Sequence, residues 1–148
     1  MQASLTEADL QAWGNRIGRQ LRTPLVLALR GDLGAGKSTL ARAIAQGAGV
    51  EGPIPSPTFN LRFSYNAPRG VQVHHLDLYR LQNAEQVWEL GWEELGSDSD
   101  LVLIEWPERA EMLLAAERWD VTMEVESPTT RRVQAVRVGT PSDLPPLQ

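Results

Sequence analysis

The stretch from Gly31 to Thr39 reads GDLGAGKST and has the spacing G-x-x-x-x-G-K-S. Glycines at these positions let successive backbone N–H groups turn toward a bound phosphate chain, because no Cβ stands in the way. Lys37 can bring its ammonium to the β- and γ-phosphates of a nucleotide, and the hydroxyl of Ser38 can ligate Mg²⁺. The spacing therefore predicts a phosphate-binding loop whose nucleotide contacts come from Leu33, Gly34, Ala35, Gly36, Lys37, Ser38 and Thr39.

The segments on either side of this loop have the periodicity that such a loop requires. Leu25 to Leu29 is an unbroken apolar run, which is typical of a parallel strand buried on both faces. After the loop, Leu40, Ala43, Ile44 and Gly47 recur at helical spacing, and the positive end of that helix would point at a bound anion. This context favours a ligand-binding loop over the alternative, a glycine-rich turn without a ligand.

Lys37 is the only lysine of the chain, and every other basic position is arginine. An ammonium cannot be exchanged freely for a planar guanidinium inside a tight loop, so this position is one where lysine is required. The base-reading motif of guanine-specific proteins, Asn/Thr-Lys-x-Asp, would need a further lysine and is absent. ATP is therefore the favoured nucleotide.

Two acidic residues at the ends of predicted strands are candidates for metal and water chemistry. Leu101 to Glu105 is a second buried strand that ends in a carboxylate, at the edge where parallel sheets bind ligands. Glu105 is therefore predicted to hold Mg²⁺, and the alternative is a surface carboxylate. Asp77 closes another strand and could orient the attacking water or hold a metal-bound water; the alternative is an Asp that begins a turn.

Further candidates carry weaker signals. The segment SPTF around Thr58 resembles a switch segment whose hydroxyl could reach Mg²⁺ and sense the γ-phosphate, and a strand-initiating turn is an equal alternative. Arg80 and Arg109 could neutralise transition-state charge, although a solvated arginine is the commoner role. His74 and His75 are adjacent in a predicted strand and point to opposite faces, which disfavours a shared metal ion.

The remaining elements follow from capping signals and periodicity. An S-x-x-E capping box at Ser4 predicts a helix that begins there and ends before Pro24. Helices are also predicted over 84–95 and, begun by Pro107, over 108–114. Alternating patterns predict two antiparallel strand pairs, 59–65 with 71–78 and 121–125 with 131–138.

Composition sets the broad class. With 148 residues and 42% hydrophobic content, we expect one globular domain over 1–139 and a loose, proline-rich tail over 140–148. The net charge of −5 gives no general attraction to nucleic acid, so in an RNA pathway a partner would hold the RNA.

The chain contains no cysteine, which excludes a disulfide framework and a thiolate metal site. The polar start of the chain and its short apolar runs predict a cytoplasmic protein without a membrane segment.

Four motifs occur together: GDLGAGKST at 31–39, SPTF at 56–59, HLDLYRL at 75–81 and EWPER at 105–109. In order and spacing they resemble the bacterial tRNA threonylcarbamoyladenosine biosynthesis ATPase family, TsaE, also called YjeE. The phosphate loop is shared with many unrelated proteins, whereas HLDLYRL followed by EWPER is much narrower. The resemblance runs from the first helix to the last hairpin.

This resemblance implies an α/β protein with the three-layer P-loop NTPase fold, in which a mainly parallel sheet carries antiparallel hairpin additions. It also implies an ATPase that works with the TsaB and TsaD proteins. Those partners transfer the threonylcarbamoyl group to the adenosine beside the tRNA anticodon, so tRNA would be met only through them. We therefore expect slow ATP hydrolysis by the chain alone and faster turnover with the partners.

Site roles carry over by position. Lys37 binds the phosphates, Ser38 and Glu105 hold Mg²⁺, and Thr58 and Asp77 belong to switch-like regions around the γ-phosphate. The implied catalytic set is Lys37, Thr58 and Asp77. Further nucleotide contacts are implied for Thr6, Glu108 and Arg132.

Two other functions compete with this one. A small-metabolite kinase can use a similar phosphate loop, but the last third of the chain predicts a strand hairpin where a kinase needs an arginine-bearing lid. A nucleotide-gated binding module without useful hydrolysis would not need the acid at Asp77.

Overall fold

Seven strands form one sheet in the computed structural model, which describes residues 1–57 and 60–148. Their order across the sheet is β1-β7-β6-β2-β5-β4-β3. The strands are β1 (Gln2–Thr6), β2 (Leu25–Arg30), β3 (Arg62–Asn66), β4 (Gln72–Asp77), β5 (Asp100–Glu105), β6 (Arg118–Val125) and β7 (Thr130–Val138). The helices are α1 (Glu7–Gln20), α2 (Lys37–Gly47) and α3 (Gln86–Glu89), with 3₁₀ turns at Pro68–Gly70, Trp92–Glu94 and Pro107–Leu113. This architecture confirms the predicted α/β class.

The centre of the sheet is parallel and its two sides are antiparallel. β2 pairs in parallel with β5 and β6, and β5 pairs in parallel with β4. β3–β4 and β6–β7 are antiparallel pairs, which agrees with the predicted hairpin additions, and β1–β7 is a further antiparallel pair that the sequence did not predict. Because the carboxyl ends of β2, β4 and β5 meet at one edge, the residues that end these strands are brought together there.

Both faces of the central strand are covered, which explains its continuous apolar run. Leu25, Leu27 and Leu29 lie in the core beneath α1 and α2. Val26 lies in a second core on the opposite face, beneath α3 and the 3₁₀ turns. Successive side chains of a strand point to opposite faces, so burial on both sides requires an apolar residue at every position.

α1 begins two residues later than the capping box at Ser4 predicted. The observed box joins Thr6 and Asp9: the backbone N–H of Asp9 donates to Thr6 Oγ1 at 3.1 Å, and that of Thr6 donates to Asp9 Oδ2 at 3.1 Å. The helix cannot start earlier because residues 2–6 form β1, in which Ser4 is paired with Arg132 of β7.

The helix predicted over 84–95 is wrong in length. α3 has only four residues, and a separate 3₁₀ turn follows it. Gly91 separates the two with φ +78°, a left-handed conformation that an α-helix cannot contain. The segment after Pro107 is likewise a 3₁₀ turn, interrupted at Ala110 by a non-helical φ of −138°.

The strand predicted over 59–65 does not include residues 60 and 61: β3 begins at Arg62, because Leu61 has φ +63°, and Phe59 lies outside the described residues. Among the described residues, no helix combines the length and apolar character that a membrane span needs.

The tail predicted to be loose packs on the domain. Trp13 of α1 donates its indole N–H to the carbonyl of Pro145 at 3.0 Å, and Trp119 of β6 donates to the carbonyl of Ser142 at 2.8 Å. Leu147 is buried in the core beneath α1. The prolines stiffen this segment, so fixing it against two indole donors loses less conformational entropy than fixing a flexible tail would.

α1 and α2 cross at very short range, at Gly14, Gly18 and Gly47. A Cβ added at Gly18 would lie 2.2 Å from the carbonyl oxygen of Ile44, and one at Gly47 would lie 2.3 Å from that of Asn15. Backbone atoms cannot move aside as a flexible side chain could. The glycines therefore set the position of α2, the helix that follows the phosphate loop.

We expect Gly18→Ala to lower the free energy of unfolding by about 1–3 kcal/mol, because the overpacked contact is with backbone atoms. This expected change is net of the gain of about 1 kcal/mol in helix propensity that alanine brings. Chemical denaturation followed by circular dichroism measures it. Gln11→Ala, at an exposed position of the same helix, is the control and should change stability by less than about 0.5 kcal/mol. An equally small effect of Gly18→Ala would contradict the close crossing.

Candidate nucleotide-binding site

The phosphate loop connects the carboxyl end of β2 to the first turn of α2. Gly36 precedes α2 with φ +110°, a conformation that side chains rarely adopt. At Gly31 a Cβ would lie 2.4 Å from the carbonyl oxygen of Met123, so the loop leaves β2 in close contact with β6. The N–H groups of the first helical turn have no partner within the helix and are available to an anion.

Lys37 is turned into this loop and is only 4% exposed. Its ammonium donates to the backbone carbonyls of Gly31 and Asp32, the latter at 2.8 Å, and lies 4.4 Å from the centre of the Trp106 ring. Burial lowers the pKa of Lys37 below its usual value, although the surrounding carboxylates, led by Glu105, oppose the shift. The loop thus holds a poorly solvated cation, which an anionic ligand would stabilise.

The two predicted acids lie side by side at the ends of neighbouring strands. Asp77 of β4 and Glu105 of β5 are register partners, and both are buried. The hydroxyl of Ser38 donates to Glu105 Oε1 at 2.9 Å, and Asp77 Oδ1 accepts from the backbone N–H of Tyr79 at 3.0 Å. The structure therefore brings Ser38 and Glu105, which were predicted to share a metal, into direct contact.

A cleft of about 470 Å³ contains this arrangement. Its lining combines the loop with the ends of β4 and β5, and it is formed by Leu33, Gly34, Gly36, Lys37, Ser38, Thr39, Asp77, Tyr79, Arg80, Glu105 and Trp106. The cationic side chains of Lys37 and Arg80, two carboxylates and the hydroxyl groups of the lining thus surround a space of the size that small-molecule ligands occupy.

Trp106 closes one side of this cleft in an unusual backbone conformation, with φ +57°. Its ring lies over Lys37 on one side and contacts Tyr79, whose ring centre is 4.9 Å away. Arg109 lies 5.9 Å from the Tyr79 ring. Left-handed non-glycine residues concentrate at functional sites, and here the conformation directs an aromatic ring over the buried ammonium.

His75 is a site residue that sequence reasoning missed. Its Nε2 lies 2.6 Å from Glu105 Oε2, on the same side of the sheet as Asp77. Residues two apart in a strand point to the same face, so the alternation that set His74 and His75 on opposite faces could also have placed His75 on the face of Asp77. The opposite-face prediction itself is confirmed, since His74 bonds to Asp100 instead. Within residues 1–57 and 60–148, no three acidic, histidine or cysteine side chains gather as a metal cluster.

A second cleft of about 470 Å³ lies on the other side of the loop. Its lining includes Thr6, for which the family resemblance implied a nucleotide contact. The other lining residues are Glu7, Ala8, Leu10, Gly34, Ala35, Gly36, Thr39, Pro128, Thr129 and Arg131. The two clefts share Gly34, Gly36 and Thr39. A ligand that crosses the loop could therefore occupy both.

The structure places Arg131 in this second cleft, and Arg132 elsewhere. Arg131 Nη2 donates to the Gly34 carbonyl at 3.3 Å. Arg132, next along β7, is half exposed and pairs with Glu126 at 3.4 Å. Adjacent strand residues point to opposite faces, so only one of the two can face the loop.

Glu108 is exposed outside both linings, although its charge acts on Lys37. Thr58 lies outside the described residues.

A glycine-rich loop after a central parallel strand, with acids at the ends of neighbouring strands, defines a P-loop NTPase-like fold. The crystal structure of YdiB from Bacillus subtilis has the same fold, with a TM-score of 0.73. It is 24% identical in sequence, and the match covers 94% of this chain and 87% of that one.

The family model for the threonylcarbamoyl adenosine biosynthesis protein TsaE matches residues 4–133. The TsaE protein of Rickettsia felis is 34% identical over 139 residues, covering 93% of this chain and 80% of its own. That of Synechocystis sp. is 37% identical over 111 residues, covering 71% and 70%. The chain belongs to the TsaE family, whose role lies in the biosynthesis of threonylcarbamoyladenosine in tRNA.

Because Lys37 is the only lysine, labelling lysine with ¹³C at Cε alone gives one side-chain NMR signal. We expect its pH titration to have a midpoint below that of ordinary lysine, since burial lowers the pKa of the ammonium. The same signal in denaturant is the control and should titrate at the ordinary value. A midpoint in the folded protein at or above the denatured one would contradict the buried position.

Proposed function

We propose that this chain is a P-loop ATPase that binds Mg-ATP and hydrolyses it in support of the TsaB and TsaD proteins. The observation that carries the proposal is the convergence of Lys37, Ser38, Asp77 and Glu105 on one cleft. Phosphoryl transfer to water requires a positive charge at the phosphates, oxygen ligands for a metal ion, and a group that positions the water. Lys37 would supply the charge, Ser38 and Glu105 the metal ligands, and Asp77 the group that positions the water.

The two clefts suggest how ATP would lie. The triphosphate would occupy the first cleft, where Lys37 and the N–H groups of the loop meet it. The ribose and base would occupy the second cleft, between Thr6 and Arg131. Since both clefts include Gly34 and Gly36, a nucleotide lying over the loop would pass directly from one to the other.

The donor set fits Mg²⁺. Ser38 and Glu105 supply hard oxygen atoms, and Mg²⁺ is usually bound through one or two such side chains together with phosphate oxygens and water. The ion would neutralise charge that develops on the phosphate oxygens. Within the protein, the bond from Ser38 to Glu105 already holds these two oxygen atoms together.

Hydrolysis would depend on Lys37 and Asp77. Lys37 offers its ammonium to the charge on the γ-phosphate, and its poor solvation strengthens that interaction. Asp77 lies next to Glu105 in the lining of the cleft, where its carboxylate can accept a hydrogen bond from the attacking water. Trp106 and Tyr79 would restrict bulk water on that side.

The partners are proposed from family membership and charge. A net charge of −5 does not suit direct tRNA binding, so we propose that TsaB and TsaD handle the tRNA and this chain supplies a nucleotide-dependent step. This function belongs in the cytoplasm.

Asp77→Asn should reduce ATP hydrolysis by about 100-fold or more, as expected when a residue that positions or deprotonates water is lost. ATP affinity should change little, because Asp77 does not hold the phosphates. Phosphate release and equilibrium nucleotide binding measure the two effects. Asp98→Asn, at an exposed loop position, is the control. Unchanged phosphate release by Asp77→Asn would remove Asp77 from the mechanism.

Wild-type protein should hydrolyse ATP slowly alone and faster when TsaB and TsaD are added together. Lys37→Ala should lose both rates, because the phosphates lose their charged partner. A pull-down with ADP or a non-hydrolysable ATP analogue tests whether association depends on nucleotide. Failure to bind with either nucleotide, together with transfer of phosphate to a small metabolite, would favour a kinase instead.

A further inference from the structure

β5 has a buried carboxylate at each end, and each carboxylate bonds to one of two adjacent histidines of β4. At the site end, His75 Nε2 lies 2.6 Å from Glu105 Oε2. At the other end, His74 Nε2 lies 3.2 Å from Asp100 Oδ1. The two bonds have the same chemistry but lie on opposite faces of the sheet, and only that of His75 touches the candidate site.

The Glu105 carboxylate is held at both oxygen atoms. Oε1 accepts from the Ser38 hydroxyl at 2.9 Å, and Oε2 is bonded to His75. An ionised carboxylate only accepts hydrogen bonds, so Nε2 of His75 carries the hydrogen. The His75 bond therefore fixes the rotation of the carboxylate and directs Oε1 toward Ser38.

Bulk water does not reach this bond, because His75 is 1% and Glu105 2% exposed. A buried carboxylate without its partner would rotate toward another donor, such as the ammonium of Lys37, whose pKa it already influences. Groups that orient a metal ligand in this way contribute to metal affinity without touching the metal.

We propose that His75 is a positioning residue that holds Glu105 in the orientation required to bind Mg²⁺. This inference rests on the proposed function, in which Ser38 and Glu105 hold the metal. In this proposal His75 acts through Glu105, to which its Nε2 is bonded, and not as a metal ligand.

His74 offers a matched control within the same strand. It too is buried and bonded to a β5 carboxylate, but Asp100 also accepts from the N–H groups of Gly96 and Ser97, away from the loop. Loss of the His74 bond should therefore destabilise the fold and leave the metal site unchanged.

The test titrates Mn²⁺ in the presence of ADP, followed by electron paramagnetic resonance of the free ion. His75→Leu should weaken Mn²⁺ binding by about 10- to 100-fold, as is typical for partners of metal ligands. His75→Gln should retain most of the affinity, because its amide N–H reaches about as far as Nε2. His74→Leu should bind Mn²⁺ like the wild type. ADP affinity in EDTA should be the same in all four proteins.

The results of this titration distinguish a failure of the proposed role of His75 from a failure of the proposed ATPase function. Wild-type affinity in His75→Leu, or an equal loss in His74→Leu, would overturn the role of His75. If His75→Leu does not fold, His75→Asn replaces it, since its amide is too short to reach Glu105. Failure of the wild type itself to bind ADP would instead overturn the proposed function.

Discussion

A buried ammonium beside two buried carboxylates is the arrangement on which the rest of the structure depends. Charges removed from water are unfavourable unless other charges and hydrogen bonds replace the solvent. Lys37 is compensated by two backbone carbonyls and by the field of Glu105 and Asp77. The carboxylates are in turn bonded to groups of their own. The loop is thus held ready for an anion.

The sheet and the helices packed on it hold those charges in place. β2, β5 and β4 bring the loop, Glu105 and Asp77 to adjacent positions, and a shift of register by one residue would turn each acid to the other face. The glycine contacts between α1 and α2 then fix the helix that carries Lys37 and Ser38. Packing far from the cleft therefore determines geometry within it.

Much of the site could be predicted from the sequence because its signals are local. The loop has a fixed spacing, and the apolar strands before it and before Glu105 are continuous since both of their faces are covered. What could not be predicted depends on distant pairing. β1 has a single buried residue, Leu5, and forms only because β7 lies beside it.

The sequence also could not predict which of Arg131 and Arg132 faces the phosphate loop. Both are arginines in one strand, and only the pairing of β7 with β1 and β6 decides which faces the loop. The prediction of one helix over 84–95 was wrong for a different reason. It gave more weight to the helical spacing of the apolar residues than to Gly91, which interrupts the helix.

The two histidines of β4 extend this argument to the pairing of β4 with β5. His75 bonds to the carboxylate at one end of β5 and His74 to that at the other, so the two strands are tied together at both ends and on both faces. Such ties oppose sliding of one strand along the other, which hydrophobic contacts alone oppose only weakly because they have little directionality. The separation of Asp77 and Glu105 is thereby fixed by polar bonds as well as by backbone pairing. A site that must place a water and a metal at defined distances requires that rigidity.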